Sequence, residues 1–531
     1  MSRTFTIGFL LAFAWVAAGA AQTAQGDSVL RDIKQEATEG SGVAECLFQL
    51  TDAVGPRVIG SPALRKTETW LEDRLRDYGL QSVRTEPNPP IDVGGGVLLN
   101  PPGWSWSRLT VQQLAPWQQT LVGLPVLYSP PTPGAVAGGV IVAPLPRPSE
   151  PEITAFMSER KGHLRAKFVL LSDKESTIVS SEAAAPRRHT ASVLKEMSEA
   201  KPDTPPKPPS PPATPSQPPS PPVRMEDVLA QQSRLFDFLR DEGVLGLVGP
   251  ARPGSQGGTL VVNAPPSPPN LTTPSPPMIE LAPEHYNRIL RLVQREMMVR
   301  LEVNLESSFH EPAGTENVLG EIRGTDKAEE VVLVGAHLDS WHGATGATDN
   351  AAGVAAVLEA VRILTKLRIP LRRSVQVAFW GGEELGRVGS RGYVQRYLVD
   401  AEGKPTETFG KISCYLNLDY GSGRIRGIYL QGNETLKPLF DEWLAGIGDG
   451  ELVATLRSTL GSDQATFERA GVPGLSFIQD PLNYEQRTHH TSMDVSDYVI
   501  VDDVKNSAAT LASIIYRIAN AETLLPRKSA R

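Results

Sequence analysis

The sequence predicts an α/β fold: a mostly parallel, twisted sheet with helices on both faces, plus an inserted small β-rich domain. Three observations carry this reading. From about Asn317 onward, apolar runs of strand length alternate with longer runs of helical spacing, the pattern of strands joined by covering helices. The run VVLVGAH from Val331 is β-branched and aliphatic throughout, as in a strand buried on both faces. Between Ala115 and Leu281 the alternation is broken by short β-rich runs set apart by Gly and Pro turns.

The chain has 531 residues, more than one core accommodates. A net charge of −8 gives no electrostatic basis for nucleic-acid binding. Residues 1–21 carry Arg3, an apolar stretch from Ile7 to Ala18 and a small-residue end at Ala18-Gly19-Ala20. That is the pattern of a secretory signal peptide, too short to span a bilayer, and no later segment is apolar enough to cross one. The expected location is secreted or periplasmic, with no membrane span after cleavage. Cys46 and Cys414 lie in a predicted helix and a predicted core strand, which leaves two buried thiols or one disulfide open.

In chain order, the stretch from about Ser28 to Arg84 reads as helical. Its last helix opens with Ser61-Pro62 as cap and first-turn proline and ends at Tyr78-Gly79, before the strand SVRTEP. Residues 27–114 plus 282–531 are expected to form the catalytic domain, and 115–281 the insertion. Within the insertion, 200–223 is a low-complexity proline tract, expected as an extended, solvated polyproline II-like loop. The chain then returns to helix at APEHYNRILRLVQREMMVRLEVNLESS, and strands and helices alternate to a closing helix at VDDVKNSAATLASIIYRIAN.

Four strand ends in the second half carry residues with metal-binding chemistry. Ala336-His337-Leu338-Asp339 closes one apolar run, and Asp349-Asn350 opens the next helix. Glu383-Glu384 follows the strand SVQVAFW, Asp419 ends YLNLDY, and His489-His490 lie in the loop QRTHHTSMD. The carboxyl edge of an open α/β sheet is where ligand sites form. Imidazole and carboxylate donors without thiolate suit zinc, with other divalent transition metals as alternatives. Five donors, one of them able to bridge, favour two ions. Of the adjacent glutamates, one would bind metal while its neighbour accepts the proton of the attacking water. Trp341 and His342, in the loop between two ligands, read as loop-shaping residues with substrate contact as the alternative, and Asp463 as either a pocket residue or a helix cap.

The motifs HLDS, TDNAAG, GGEELGRVGS, LNLDYGSG and HHTSMD, in this order, resemble the clan of co-catalytic zinc exopeptidases, which includes secreted aminopeptidases and carboxypeptidase Q. The resemblance covers Asn317–Ile514 well and Gly55–Gly79 more loosely. The inserted segment resembles a protease-associated domain. The resemblance implies two Zn2+ per chain. His337 and Asp419 would hold one, Glu384 and His490 the other, and Asp349 would bridge them. It further implies Glu383 as general base and Asp339 as the carboxylate orienting the His337 imidazole. Where some relatives have a tyrosine that steadies the oxyanion, this chain has His489, as expected for the carboxypeptidase Q-like branch.

The implied function is an exported exopeptidase acting on peptides or dipeptides. An aminopeptidase comes first, then a carboxypeptidase Q-like dipeptidase, a glutaminyl-cyclase-like acyltransferase, and a non-catalytic binding ectodomain. A homodimer is left open as the assembly.

Overall fold

In the computed structural model, residues 26, 28–92, 98–99, 102–176, 187–203, 224–251, 275–311, 314–448, 450–459 and 461–528 are described. The expected signal peptide and most of the proline tract lie outside them.

The main sheet is built around the strand predicted to be buried on both faces. Its eight strands are β1 (Gln81–Pro87), β2 (Glu316–Ile322), β3 (Lys327–His337), β4 (Arg373–Trp380), β5 (Ile412–Asn417), β6 (Ile425–Tyr429), β7 (Val453–Thr455) and β8 (Gly474–Gln479). They lie in the order β1-β2-β4-β3-β5-β8-β6-β7. The four central strands β4, β3, β5 and β8 are parallel. Pairing turns antiparallel toward the edges, at β1 with β2, β2 with β4, and β8 with β6.

Successive side chains of a strand point to opposite faces, and β3 shows it: Val332, Val334 and Ala336 enter one core while Leu333 enters the other. The first core lies under α1 (Pro62–Asp77), α2 (Ala352–Lys366) and α5 (Val501–Asn520). The second, under α3 (Val388–Tyr393) and α4 (Gln464–Ala470), is aromatic, with Trp380, Tyr393, Tyr415 and Phe467 in one cluster. The cap predicted for α1 is present: the Ser61 hydroxyl accepts from Leu64 N at 3.2 Å. Cys46 and Cys414 are buried free thiols.

A second eight-stranded sheet occupies the middle of the chain. In spatial order it is Gln119–Leu121, Gly103–Ala115, Arg300–His310, Val136–Val142, Lys167–Leu170, Gly246–Pro250, Met278–Leu281 and Gly123–Pro125. It is therefore wider than the 115–281 span expected for the insertion. The expected long helix from Ala282 stops at Gln294; the chain turns at Glu296 with φ 57° and continues as the strand Arg300–His310. Sequence reading missed this switch because the helical spacing of NRILRLV runs straight into LEVNL. There the buried positions Leu301, Val303 and Leu305 recur every second residue, the period of a strand. Beside its eight strands the unit carries helices at Glu150–Arg160, Met225–Asp241 and Pro283–Gln294.

Glu68 of α1 packs its carboxylate against the main sheet's edge. It accepts from Glu316 N at 3.1 Å and pairs with Arg65 at 3.0 Å. Burial outweighs Arg65 and raises its pKa from 4.5 to about 7. The folded state thus holds a proton that the unfolded state has lost, so this group's contribution falls as pH rises from about 4.5 through about 7. Glu68→Gln is expected to gain stability relative to wild type across that window and to level off above it. Urea denaturation of both proteins at a series of pH values reads the difference.

Candidate metal centre

The parallel strands β3, β4, β5 and β8 all deliver their carboxyl ends to one edge, and the predicted residues meet there. His337 is the last residue of β3, Glu383 and Glu384 follow β4, Asp419 follows β5, and His489 and His490 lie in the loop after β8. Asp349 comes from the turn that opens α2, where the Asp349–Asn350 peptide is cis. Gly353 lets that turn approach β5: a Cβ there would lie 2.5 Å from the Leu418 carbonyl oxygen and 2.2 Å from Asn350 Oδ1.

His337 Nε2 lies 3.2 Å from Asp349 Oδ1 and 3.2 Å from Asp419 Oδ1. His490 Nε2 lies 3.1 Å from Asp349 Oδ2 and 3.1 Å from Glu384 Oε2. The two oxygens of Asp349 therefore face two separate donor groups. One compact group is His337, Asp349 and Asp419; a second is Asp349, His489 and His490. Of the two neighbouring histidines, His490 is nearer the bridge, since His489 Nε2 is 3.8 Å from Asp349 Oδ2. His489 Nδ1 instead faces Glu485 at 3.4 Å. The His337 side chain is 1% exposed and that of His490 34%, so solvent reaches the cluster from the His490 side.

The residues fit divalent cations. Asp349 Oδ2 and Glu384 Oε1 are buried yet make no hydrogen bond, although an imidazole lies close to Asp349. Buried carboxylate oxygens left in this way cost free energy unless a cation takes them up. The donor set of imidazoles and carboxylates, without thiolate, is one that zinc accepts.

Protonation points the same way. Burial disfavours the His337 imidazolium, but Asp419, with hydrogen bonds to Asp339 and Asp349, outweighs burial and raises its pKa well above the ordinary value. Burial likewise opposes charge on His490, and Glu384 and Asp349 lift it to about 11. Burial tends to raise Asp349, but the two imidazoles facing its oxygens drive it well below the usual carboxylate range. Protons on the two imidazoles thus balance the clustered carboxylates.

Several side chains fix this geometry, and not all were legible in the sequence. Asp339 was expected to orient the His337 ring through its carboxylate. The nearer partner of His337 Nδ1 is instead the Asp339 carbonyl oxygen at 3.0 Å, with the carboxylate at 3.7 Å. That carboxylate accepts three backbone N–H groups, from Gly382 (2.9 Å), Glu383 (3.0 Å) and Glu384 (3.1 Å), and so ties the glutamate loop to β3. Asp494, the last residue of HHTSMD, accepts from Thr348 N at 2.6 Å and Asp349 N at 3.2 Å, which fixes the turn that carries Asp349.

Arg57 had no assigned role. It is fully buried and donates to the carbonyls of Leu50, Leu338, Thr345 and Gly346 at 2.6–2.9 Å. Its only signal was its place in the loosely matching stretch from Gly55. Ser462 donates to Asp419 Oδ2, and Asn417 donates to Ser462 at 2.9 Å. Asp463 stands at the start of α4 without capping it; both of its oxygens are buried and unbonded, and burial raises its pKa to about 7. His342 shapes the loop as expected, with Nε2 2.7 Å from the Pro125 carbonyl, while the Trp341 ring packs against His490 with centroids 5.5 Å apart.

A divalent ion entering this site must displace the protons held by His337 and His490. Zinc binding near pH 7 is expected to release protons and to tighten as pH rises. Calorimetric titration in buffers of different ionisation enthalpy measures both effects.

Comparison with known proteins finds similarity over the part of the chain that carries these residues. The model of peptidase family M28 matches residues 317–515. Carboxypeptidase Q of Bos taurus is 26% identical over 254 residues, covering 48% of this chain and 52% of that protein. Leupeptin-inactivating enzyme 1 of Streptomyces exfoliatus is 33% identical over 161 residues, covering 30% and 34%. The chain thus spans about half the length, or less, of these curated relatives. Among solved structures, a peptidase M28 precursor from Shewanella amazonensis SB2B superposes with a TM-score of 0.64 at 22% identity, covering 96% of this chain and 100% of that one. BSAP, a zinc aminopeptidase from Bacillus subtilis, gives 0.53 at 18% identity, covering 90% and 95%. Residues 317–515 thus match the peptidase family M28 model, and the fold is shared with these solved structures over most of the chain.

Proposed function

We propose that this protein is an exported, zinc-dependent exopeptidase, an aminopeptidase in the first instance, with a two-metal centre. The observation that carries the reading is the placement of Asp349 between two imidazole-carboxylate groups. In the proposed assignment, His337 and Asp419 would hold one ion and Glu384 and His490 the other, with Asp349 shared between them. Two divalent ions held there would supply Lewis-acid polarisation of a peptide carbonyl and lower the pKa of the attacking water.

The chain's own groups do the rest. Glu383 sits beside Glu384 with its backbone N–H on Asp339, which holds it at the cluster without tying up its carboxylate. Burial, reinforced against His337 by Asp463, Asp419 and Glu384, raises its proton affinity well above that of an ordinary glutamate, which suits a group that must accept a proton. It takes the proton of the attacking water and passes it to the nitrogen of the leaving amine. His489 turns Nε2 toward the cluster while Glu485 holds Nδ1, so the imidazole can donate to the oxyanion that develops on the former carbonyl oxygen.

A second reading, a carboxypeptidase Q-like dipeptidase, is favoured by the His489-His490 pair and by the similarity to carboxypeptidase Q. The two differ in which substrate terminus is anchored. Export rests on residues 1–21, and no helix among the described residues is long and apolar enough to cross a membrane. The middle unit is proposed to be a protease-associated module.

Aminoacyl and dipeptide substrates, assayed with and without a chelator, test this proposal. Chelation is expected to abolish hydrolysis, and Glu383→Gln to lower kcat by about 10²–10⁴-fold with zinc content unchanged. His489→Phe is expected to lower kcat by about 10²-fold. Hydrolysis that survives both the chelator and Glu383→Gln rules the mechanism out, and turnover within a few-fold of wild type in His489→Phe removes His489 from it.

A further inference from the structure

The histidine pair is held from outside the catalytic sheet. Residues 187–203, which lie in sequence between two segments of the middle unit, run across the end of β8 and the neighbouring edge of the main sheet. The helix Ala191–Glu199 buries Leu194 and Met197 against Ile478 of β8, beside Tyr429 of β6 and Val453 of β7. Arg457 pairs with Glu196 at 2.7 Å, and Ser458 N donates to Asp203 at 2.5 Å.

The start of this strap grips the root of the loop that carries His489 and His490. Asp480 is the first residue after β8, and its carboxylate is fully buried. It accepts from His189 N at 2.8 Å and from Arg188 Nη1 at 3.1 Å; Arg426 and Arg424 stand further off, at 3.5 and 3.6 Å. The same Arg188 nitrogen reaches Asp503 in the first turn of α5 at 2.6 Å. Two residues along, Leu482 N donates to the Arg187 carbonyl at 3.1 Å. Leu482 and Asn483 then turn at φ 43° and 68°, and the chain runs on through Thr488 to the histidines. A buried carboxylate stays in place only if its partners do, so loss of Arg188, its nearest charged partner, loosens the root of the loop.

We propose that Arg188 is a positioning residue for the metal centre: through Asp480 it fixes the 480–490 loop and thereby the reach of His490 toward Asp349 and Glu384. The proposal rests on the two-metal reading above. His337, Asp349 and Asp419 are carried by β3, the turn before α2 and the end of β5, which the strap does not touch through these bonds. The effect should therefore fall on one half of the centre.

Zinc titration of the metal-stripped full chain tests this, with thermal melts of each variant as control. Wild type is expected to bind two equivalents. Arg188→Ala is expected to keep one at wild-type affinity and to bind the other about 10–100-fold more weakly. The weakened equivalent should be the one that His490→Ala also loses, and Arg188→Lys should restore it in part. Leu194→Ala loosens the strap without touching charge, should show the same asymmetry, and decides the matter if Arg188→Ala does not fold. Two equivalents at wild-type affinity in the folded variants, or equal weakening of both, overturns the role of the strap. Fewer than two equivalents in wild type overturns the two-metal reading itself, and the strap's role with it.

Discussion

Asp349 places one carboxylate oxygen 3.2 Å from His337 and the other 3.1 Å from His490, and the rest of the site is arranged to make that placement tolerable. Such a group, nearly buried, is costly alone, and its neighbours Asp419, Glu384 and Glu383 are acidic too. The cluster exists because cationic imidazoles, and on the proposed reading metal ions, offset it. Parallel strands make the arrangement possible. Each brings one donor to the same edge, so residues as far apart in sequence as His337 and His490 approach the same carboxylate.

Holding the donors requires a layer of bonds behind them. Asp339 clamps three consecutive N–H groups of the glutamate loop, Asp494 clamps the bridge turn, and the Arg57 guanidinium collects four carbonyls from the surrounding loops. These groups are buried acids and a buried base set among one another. Arg57, lowered to about 10 by burial, feels Asp494, Asp339 and Asp349 in turn. The outer layer is thus an ionic network in which each charge is stabilised by the next, and it holds the imidazoles and carboxylates of the cluster in place.

Much of this was legible in the sequence, for a physical reason. From Val332 onward β3 is buried on both faces, so its residues there are apolar, and the polar His337 at its end and Asp339 just past it stand out. The same contrast marks Glu383-Glu384 after β4 and Asp419 after β5. What the sequence hid were residues whose role depends on distant partners. Arg57 looks like any loop arginine until four carbonyls converge on it. Ser462 looks like a turn residue until it meets Asp419. The strand Arg300–His310 was hidden because helical and alternating spacing abut without a breaker, and the left-handed turn at Glu296 carries no glycine to announce it. Asp339 stands beside the imidazole where it was expected, but two further contacts were not legible: its main-chain oxygen lies nearest the ring, and its carboxylate also holds the neighbouring loop.

The central claim is that Asp349 joins two metal sites, and the most direct measurement is a crystal structure of the zinc-loaded protein with anomalous diffraction at the zinc edge. The account predicts two peaks roughly 3.5–4 Å apart, each in contact with a different oxygen of Asp349, one beside His337 and Asp419 and the other beside Glu384 and His490. A single peak, or two peaks that Asp349 does not touch in common, contradicts it.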